Sequence, residues 1–225
     1  MITNFKLGIG VPLSYDSIPS AFFDSFITME KPDYTYFRSS AGPIEAMRND
    51  IAKQALMTRC THLIMMDSDQ EYHVKTITRL LSHRLPVVGC LVYRRYPPFD
   101  PLMLKGKLGS LQTIREWEPE SLVEVDITGT GCILFETSVF RELPYPWFRF
   151  RTGPEGLVVG EDFGICHDLR ERGYKIFVDT SVPAGHLTKM VVNEGTWKLV
   201  NLIAQTERKV VPEIEHGIIK NVKEV

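Results

Sequence analysis

Short apolar runs alternate with amphipathic stretches along the first two thirds of the chain. Lys6 to Val11 (Lys-Leu-Gly-Ile-Gly-Val) reads as a buried strand closed by Pro12. Ile18 to Met29 reads as a helix with Pro19 in its first turn. Asp33 to Phe37, rich in Tyr and Phe, reads as a second strand, broken by Ser39-Ser40-Ala41-Gly42-Pro43. Ile44, Met47, Ile51 and Ala55 recur at helical spacing, which predicts a helix to about Thr58. Leu63–Met66 is the next strand, Val74, Ile77, Leu80 and Leu81 mark a helix, and Pro86 to Val92 is a further apolar strand.

Strands and helices in strict alternation predict an α/β fold with a mostly parallel sheet and helices on both faces. Tyr96 to Ser110 then changes character, with several Pro, Gly and Lys, and reads as a long lid or binding loop. Val123–Asp126 and Cys132–Phe135 read as strands around Gly129-Thr130-Gly131, which by itself is compatible with a plain hairpin turn. Tyr145–Gly156 is a second irregular, lid-like stretch. Gly160 to Arg172 reads as a helix stopped by Gly173, and Lys175–Val178 as a last short strand. The expected organisation is one domain over residues 1–186 and a tail over 187–225, partly helical around Trp197–Thr206.

Bulk properties narrow the function classes. A chain of 225 residues can bury a full core, and 44% hydrophobic with 24% charged residues is ordinary for a globular protein. A net charge of −2 gives no electrostatic case for nucleic acid. No apolar run approaches a membrane span. Met1-Ile2-Thr3-Asn4-Phe5-Lys6 lacks the basic-then-apolar signal pattern, and Cys60, Cys90, Cys132 and Cys166 show neither zinc spacing nor a disulfide framework. A cytoplasmic location is therefore expected, and a homo-oligomer stays open.

The chemistry begins where the run Thr61-His62-Leu63-Ile64-Met65-Met66 ends in Asp67-Ser68-Asp69. Ligands of open α/β sheets collect outside the carboxyl ends of the strands. In an extended segment, residues two apart point the same way, so Asp67 and Asp69 are expected to project together. Paired carboxylates repel unless a cation sits between them, and Mg²⁺ or Mn²⁺ suits such oxygens. The competing reading is a polar turn with Asp69 as the N-cap of the next helix.

Further pieces follow in order: Arg48-Asn49 before the carboxylates, Asp126-Ile127-Thr128-Gly129-Thr130-Gly131 after them, then Gly160-Glu161-Asp162-Phe163, Asp179 and His186. From about Lys6 to His186 this arrangement resembles the GT-A-fold glycosyltransferases, particularly the family-2-like group. The resemblance implies a Rossmann-like sheet and transfer of a sugar from a nucleotide-sugar donor to a carbohydrate, lipid or protein acceptor. It implies Mn²⁺ or Mg²⁺ on the donor diphosphate, with Asp69 as a direct ligand, Asp67 at the ribose or the metal's waters, and His186 completing the site. It implies Asp162 as the base of an inverting transfer, beside Glu161 at the acceptor. Arg48 would sit near the base or diphosphate. Pro12 to Tyr15 and Ser39 would line the nucleoside pocket, and Gly129 would allow close approach to sugar or acceptor.

Two other functions compete. A sugar-phosphate nucleotidyltransferase also uses a parallel sheet, carboxylates and Mg²⁺, but needs a basic Gly-rich loop after the first strand. Gly8-Ile9-Gly10-Val11-Pro12-Leu13 has no basic residue. A non-catalytic nucleotide-sugar-binding or carbohydrate-binding module would have no need of both Asp67-Ser68-Asp69 and Glu161-Asp162.

Overall fold

The computed structural model of the protein describes residues 5–40, 42–152, 156, 158–207, 214–215 and 218–219, with side chains described as far as residue 203. Two compact units are present, Met1–Leu187 and Thr188–Val225. Of the expected elements, residue 41, residues 153–155 of the second lid-like stretch, and residues 208–213, 216–217 and 220–225 of the tail lie outside the described residues.

The first unit runs β1 (Leu7–Pro12), α1 (Ser20–Thr28), β2 (Tyr34–Ser39), α2 (Ile44–Met57), β3 (His62–Met66), β4 (Gln70–Glu71), α3 (Thr76–Ser82) and β5 (Val87–Val92). It continues through β6 (Met103–Lys105), β7 (Gln112–Thr113), β8 (Leu122–Val125), β9 (Ile127–Thr128) and β10 (Cys132–Glu136). It closes with α4 (Val139–Glu142), β11 (Arg151–Thr152), β12 (Val158–Val159), α5 (Glu161–Glu171) and β13 (Ile176–His186). The second unit holds α6 (Glu194–Glu207) and the short pair β14 (Ile214–Glu215) and β15 (Ile218–Ile219).

The central sheet has the order β2-β1-β3-β10-β5-β13-β4, with β8 also paired to β13. β2, β1, β3, β5 and β13 run in one direction, so the sheet is mixed but mostly parallel. β10 lies between β3 and β5 and is antiparallel to both.

Alternation along each strand separates two cores. Leu63 and Met65 of β3, Val87 and Leu91 of β5, and Ile133 and Phe135 of β10 pack with α2, α4 and α5. Ile64 and Met66, Val88 and Cys90, and Cys132 and Leu134 pack with α1 and α3 on the opposite face. In β1 the same alternation places Leu7, Ile9 and Val11 in the second core and turns Gly8 and Gly10 toward the first. A Cβ on Gly10 would lie 2.3 Å from Ile51 Cγ2 of α2, and one on Gly8 would lie 2.8 Å from the Phe37 ring. These glycines let α2 settle directly on β1, which sets the height of Arg48 above the strand ends.

Four elements differ from the sequence reading. The expected loop Tyr96–Ser110 contains a core strand: Met103 of β6 is fully buried, and β6 pairs with β7 and β9. The flanking Pro and Gly residues hide a three-residue strand from a periodicity argument. Gly129–Gly131 is not a hairpin, because β8 pairs with β13 and β9 with β6. Asp69 is not an N-cap: α3 begins at Thr76, after Lys75. β13 is 11 residues long and not a short strand. It passes an irregularity between Asp179 and Ala184 and so carries Pro183 and His186 past the point where an alternating pattern would stop.

Asn49 shows how α2 organises its surroundings. Its amide donates to the Glu45 and Phe148 carbonyls at 2.7 Å each and accepts from the Trp147 and Phe148 N–H groups at 2.9 and 3.1 Å. All of its polar capacity is used. Part of the irregular stretch Tyr145–Gly156 is thereby fastened to the helix that carries Arg48.

The β1–α2 contact leads to a stability prediction. Gly10→Ala should lower stability by about 1–3 kcal/mol through overpacking against Ile51. Chemical denaturation measures it, and a change below about 0.5 kcal/mol would show that α2 is not seated by this glycine.

Candidate active site

A cleft of about 450 Å³ lies at the carboxyl ends of β1 and β3, a size suited to a small-molecule ligand. Pro12, Ser14, Tyr15, Arg48, Asp67, Asp69, Gly129, Glu161, Asp162 and His186 all line it. Ser39 does not. It is buried beneath a separate concavity with Asn49 and Tyr145, because the parallel register places it beside Pro12 while its side chain points away from the cleft.

At the centre is a buried guanidinium. Arg48 is 3% exposed, and each of its nitrogens is committed. Its NH2 group donates to both Asp67 oxygens at 2.8 and 3.1 Å, Nε to Glu161 Oε1 at 3.2 Å, and NH1 to the Thr130 carbonyl at 3.2 Å. Burial alone would lower the Arg48 pKa, but Asp67, Glu161 and Asp162 outweigh it and hold the pKa above its ordinary value. Arg48 is thus a positioning residue, which ties the end of β3 to the first turn of α5. Four of its five N–H groups thus meet protein oxygens. Asp67 in turn faces the Arg48 guanidinium.

The loop before β10 closes the same network. Asp67 N–H donates to the Gly131 carbonyl at 2.7 Å, and Tyr72 Oη lies 2.7 Å from the Asp67 carbonyl and 2.9 Å from that of Gly131. A Cβ at Gly131 would fall 2.2 Å from Gln70 Nε2 and 2.9 Å from Asp67 Oδ2. Glycine is required there by this close approach. Gln70 Oε1 and Thr130 Oγ1, on residues lining the cleft, have no protein hydrogen-bond partner.

Asp69 belongs to a second cluster. Its Oδ2 lies 2.8 Å from Arg95 NH1 and 3.4 Å from His186 Nε2. Burial works against its charge, yet His186 and then Arg95 prevail and hold the carboxyl below its usual range. His186 Nδ1 lies 2.9 Å from the Tyr93 carbonyl. That contact makes Nδ1 the donor and aims Nε2 at Asp69, the orientation a metal-binding imidazole needs. The Asp69 bond is the first cause of a raised His186 pKa.

Among the described residues, no group of three or more His, Cys, Asp and Glu side chains forms a complete metal cage. Asp69 and His186 nonetheless converge, and one carboxylate with one imidazole fits a divalent ion that takes other ligands from water and phosphate oxygens.

Asp162 stands at the start of α5, its Oδ1 accepting from Phe163 N–H at 2.8 Å. Burial, then the neighbouring Glu161 charge, pushes its carboxyl up to about 6. Glu161, 8% exposed, is held by Arg48. The two adjacent acids therefore differ: one is paired with a cation, the other is poised to change protonation near neutral pH. The sequence argument missed Arg95, Tyr72 and Gln70. Tyr72 sits in an ordinary polar stretch, and Arg95 in an Arg-Arg pair without motif spacing, so neither carries a signal outside the folded context.

Removing the central cation should be severe. Arg48→Met leaves Asp67 and Glu161 buried without a partner and should cost about 3–5 kcal/mol. Adding Glu161→Gln to that variant should recover part of the loss. Urea denaturation of both variants is the measurement, and a loss under about 1 kcal/mol for Arg48→Met would contradict the network.

No protein-family model matches the chain, and no curated protein matches it by sequence. Solved structures do match by fold. The crystal structure of A197 from STIV aligns with a TM-score of 0.58 at 14% identity, over 82% of this chain and 87% of that one. The crystal structure of GalNAc-T7 with UDP, GalNAc and Mn²⁺ aligns with a TM-score of 0.54 at 12% identity, over 84% of this chain and 45% of that one. At such identities the likeness is one of fold, and the fold is that of the GT-A glycosyltransferases.

Proposed function

We propose that the protein is a metal-dependent, inverting glycosyltransferase that moves a sugar from a nucleotide-sugar donor to an acceptor hydroxyl. The observation that carries this reading is the pairing, within one cleft at the strand ends, of the poised Asp162 carboxyl with the Asp69–His186 pair. Two sites of different chemistry are needed in such a transfer, one for the departing diphosphate and one for the incoming hydroxyl.

In this reaction the acceptor oxygen attacks the anomeric carbon, the bond from that carbon to the diphosphate oxygen breaks, and the hydroxyl proton passes to Asp162. A general base works best with a pKa near the operating pH, which burial gives Asp162 here. Asp69 and His186 would hold Mn²⁺ or Mg²⁺, which neutralises charge growing on the leaving diphosphate. Arg95, beside Asp69, supplies a further positive charge on the same side of the cleft. Pro12, Ser14 and Tyr15 line the end of the cleft that the nucleoside would fill, with the Tyr15 ring 76% exposed for stacking. The GalNAc-T7 structure contains UDP, GalNAc and Mn²⁺, which makes a UDP-sugar with Mn²⁺ the first donor to test.

A sugar-phosphate nucleotidyltransferase is disfavoured by the cleft itself, since the loop after β1 brings no basic residue to it. A non-catalytic binding module would not hydrolyse a nucleotide-sugar even slowly, so release of nucleoside diphosphate separates it from the enzyme.

Asp162→Asn provides the sharpest test. Turnover should fall by roughly two to four orders of magnitude with donor affinity kept. In the parent protein activity should rise with pH through about 6, and this limb should vanish in the variant. Stability should move the opposite way. The folded carboxyl titrates above its ordinary value, so its contribution is complete in acid and is lost as pH rises through about 6. Asp162→Asn should therefore be more stable than the parent at pH 8, by up to about 3 kcal/mol, with the gain vanishing toward pH 4. Near-normal turnover with a product of retained anomeric configuration would overturn the assignment of the base.

Metal dependence is tested by chelation. Excess chelator should abolish transfer, Mn²⁺ or Mg²⁺ should restore it, and Asp69→Asn should weaken binding of the ion in a direct titration. Full activity in chelator would remove Asp69 and His186 from the role given to them.

A further inference from the structure

A second cleft, of about 470 Å³, opens on the C-terminal half of α5 and shares no residue with the first. Lys107, Arg151, His167 and Arg170 line it, with Glu171 as the one carboxylate among its described lining residues. Leu108 and Ile127 give it an apolar floor.

Its charge is unbalanced in favour of cations. The guanidiniums of Arg149 and Arg151 both converge on the Asp168 carboxylate, so two positive groups share one buried acid. Arg170 and Lys105 likewise meet Asp126, at 3.1 and 3.4 Å, with Lys105 also 3.7 Å from Glu124. Lys107 is exposed and makes no ion pair among the described residues. Arg151 Nε and His167 Nδ1 are buried without a hydrogen-bond partner, His167 Nδ1 lying 3.7 Å from Asp168 Oδ1. The His167 pKa is lowered by burial and then by Arg151, with Arg170 and Arg149 acting in the same sense against Glu171. Burial and the nearby Arg149 also lower the Arg151 pKa. Burial leads both shifts, and the neighbouring guanidiniums act in the same direction.

We infer that this second cleft is an oxyanion site for a phosphate-type group. Lys107 and Arg170 supply the facing charge, and Leu108 and Ile127 pack the body that carries the phosphate. Guanidinium and ammonium donors bind phosphate through charge-assisted hydrogen bonds. The cleft is wider than a bare ion needs, which favours a phosphate monoester on a small polar body. The site is independent of the reaction proposed above, because it uses neither the Asp69–His186 pair nor Asp162.

Titration of the ¹⁵N-labelled full chain with inorganic phosphate and with glucose 6-phosphate, at constant ionic strength against chloride, tests this. Amides of Gly106 to Leu108, Arg151 and His167 should shift and saturate. Lys107→Glu should weaken binding by roughly tenfold or more, the worth of one charged contact. That side chain makes no ion pair, so the spectrum elsewhere should be unchanged. Tighter binding of glucose 6-phosphate identifies a phosphate monoester as the ligand, and equal binding identifies phosphate itself. Shifts confined to Asp67–Gln70 and Gly129–Gly131, a response no larger than that to chloride, or unchanged affinity in Lys107→Glu would each overturn the proposal.

Discussion

One buried positive charge organises the cleft. Arg48 is taken out of water and compensated by two carboxylates and a carbonyl that come from three distant parts of the chain. A desolvated guanidinium is tolerated only where protein oxygens gather around it, so the ends of β3, the Thr130–Gly131 loop and the start of α5 meet at its position. Their meeting is what creates a concave surface at the strand ends. The seating of α2 on the side-chain-free face of β1 is upstream of this, because it fixes where the guanidinium stands.

The same ion network divides labour between neighbouring acids. Asp67 and Glu161 are ion-paired with Arg48, while Asp69 and Asp162, each close in sequence to one of them, are left to other partners. Asp69 turns to His186 and Arg95, and Asp162 keeps only the Phe163 N–H and a burial that disfavours its charge. Motifs of paired acids thus need not act as pairs. In each case here both members line the cleft, but only one of them is tied to Arg48.

Much of the fold was legible because its signals are local. The apolar runs of β1, β3 and β5 and the helical spacing in α2 and α5 are visible without tertiary information. So was the site as far as strand-end logic reaches, since carboxylates placed after an apolar run had to emerge near the sheet's carboxyl edge. What stayed hidden depends on distant pairing. β6 is too short for periodicity and is a strand only because β7 and β9 flank it. β13 extends past Pro183 because β5 and β4 supply pairing partners there, at Ala184 and at Gly185–His186. That Arg48 faces protein oxygens could not be read from an arginine on an amphipathic helix, and Ser39 fell outside the cleft because alternation in β2 turned it away.

The antiparallel strand β10 has a consequence for how the chain can change. The parallel strands β1, β3, β5 and β13 leave the core at the cleft, so the loop after each can lengthen outward without disturbing the strand. β10 instead enters the core there, its first residue following Gly131 directly. Its register is fixed on both sides by β3 and β5, and an extra residue in 129–131 would have nowhere to go except into the cleft or into the sheet. Length variation in this fold should therefore accumulate in the loops that follow the parallel strands, while the Gly-Thr-Gly segment keeps its length.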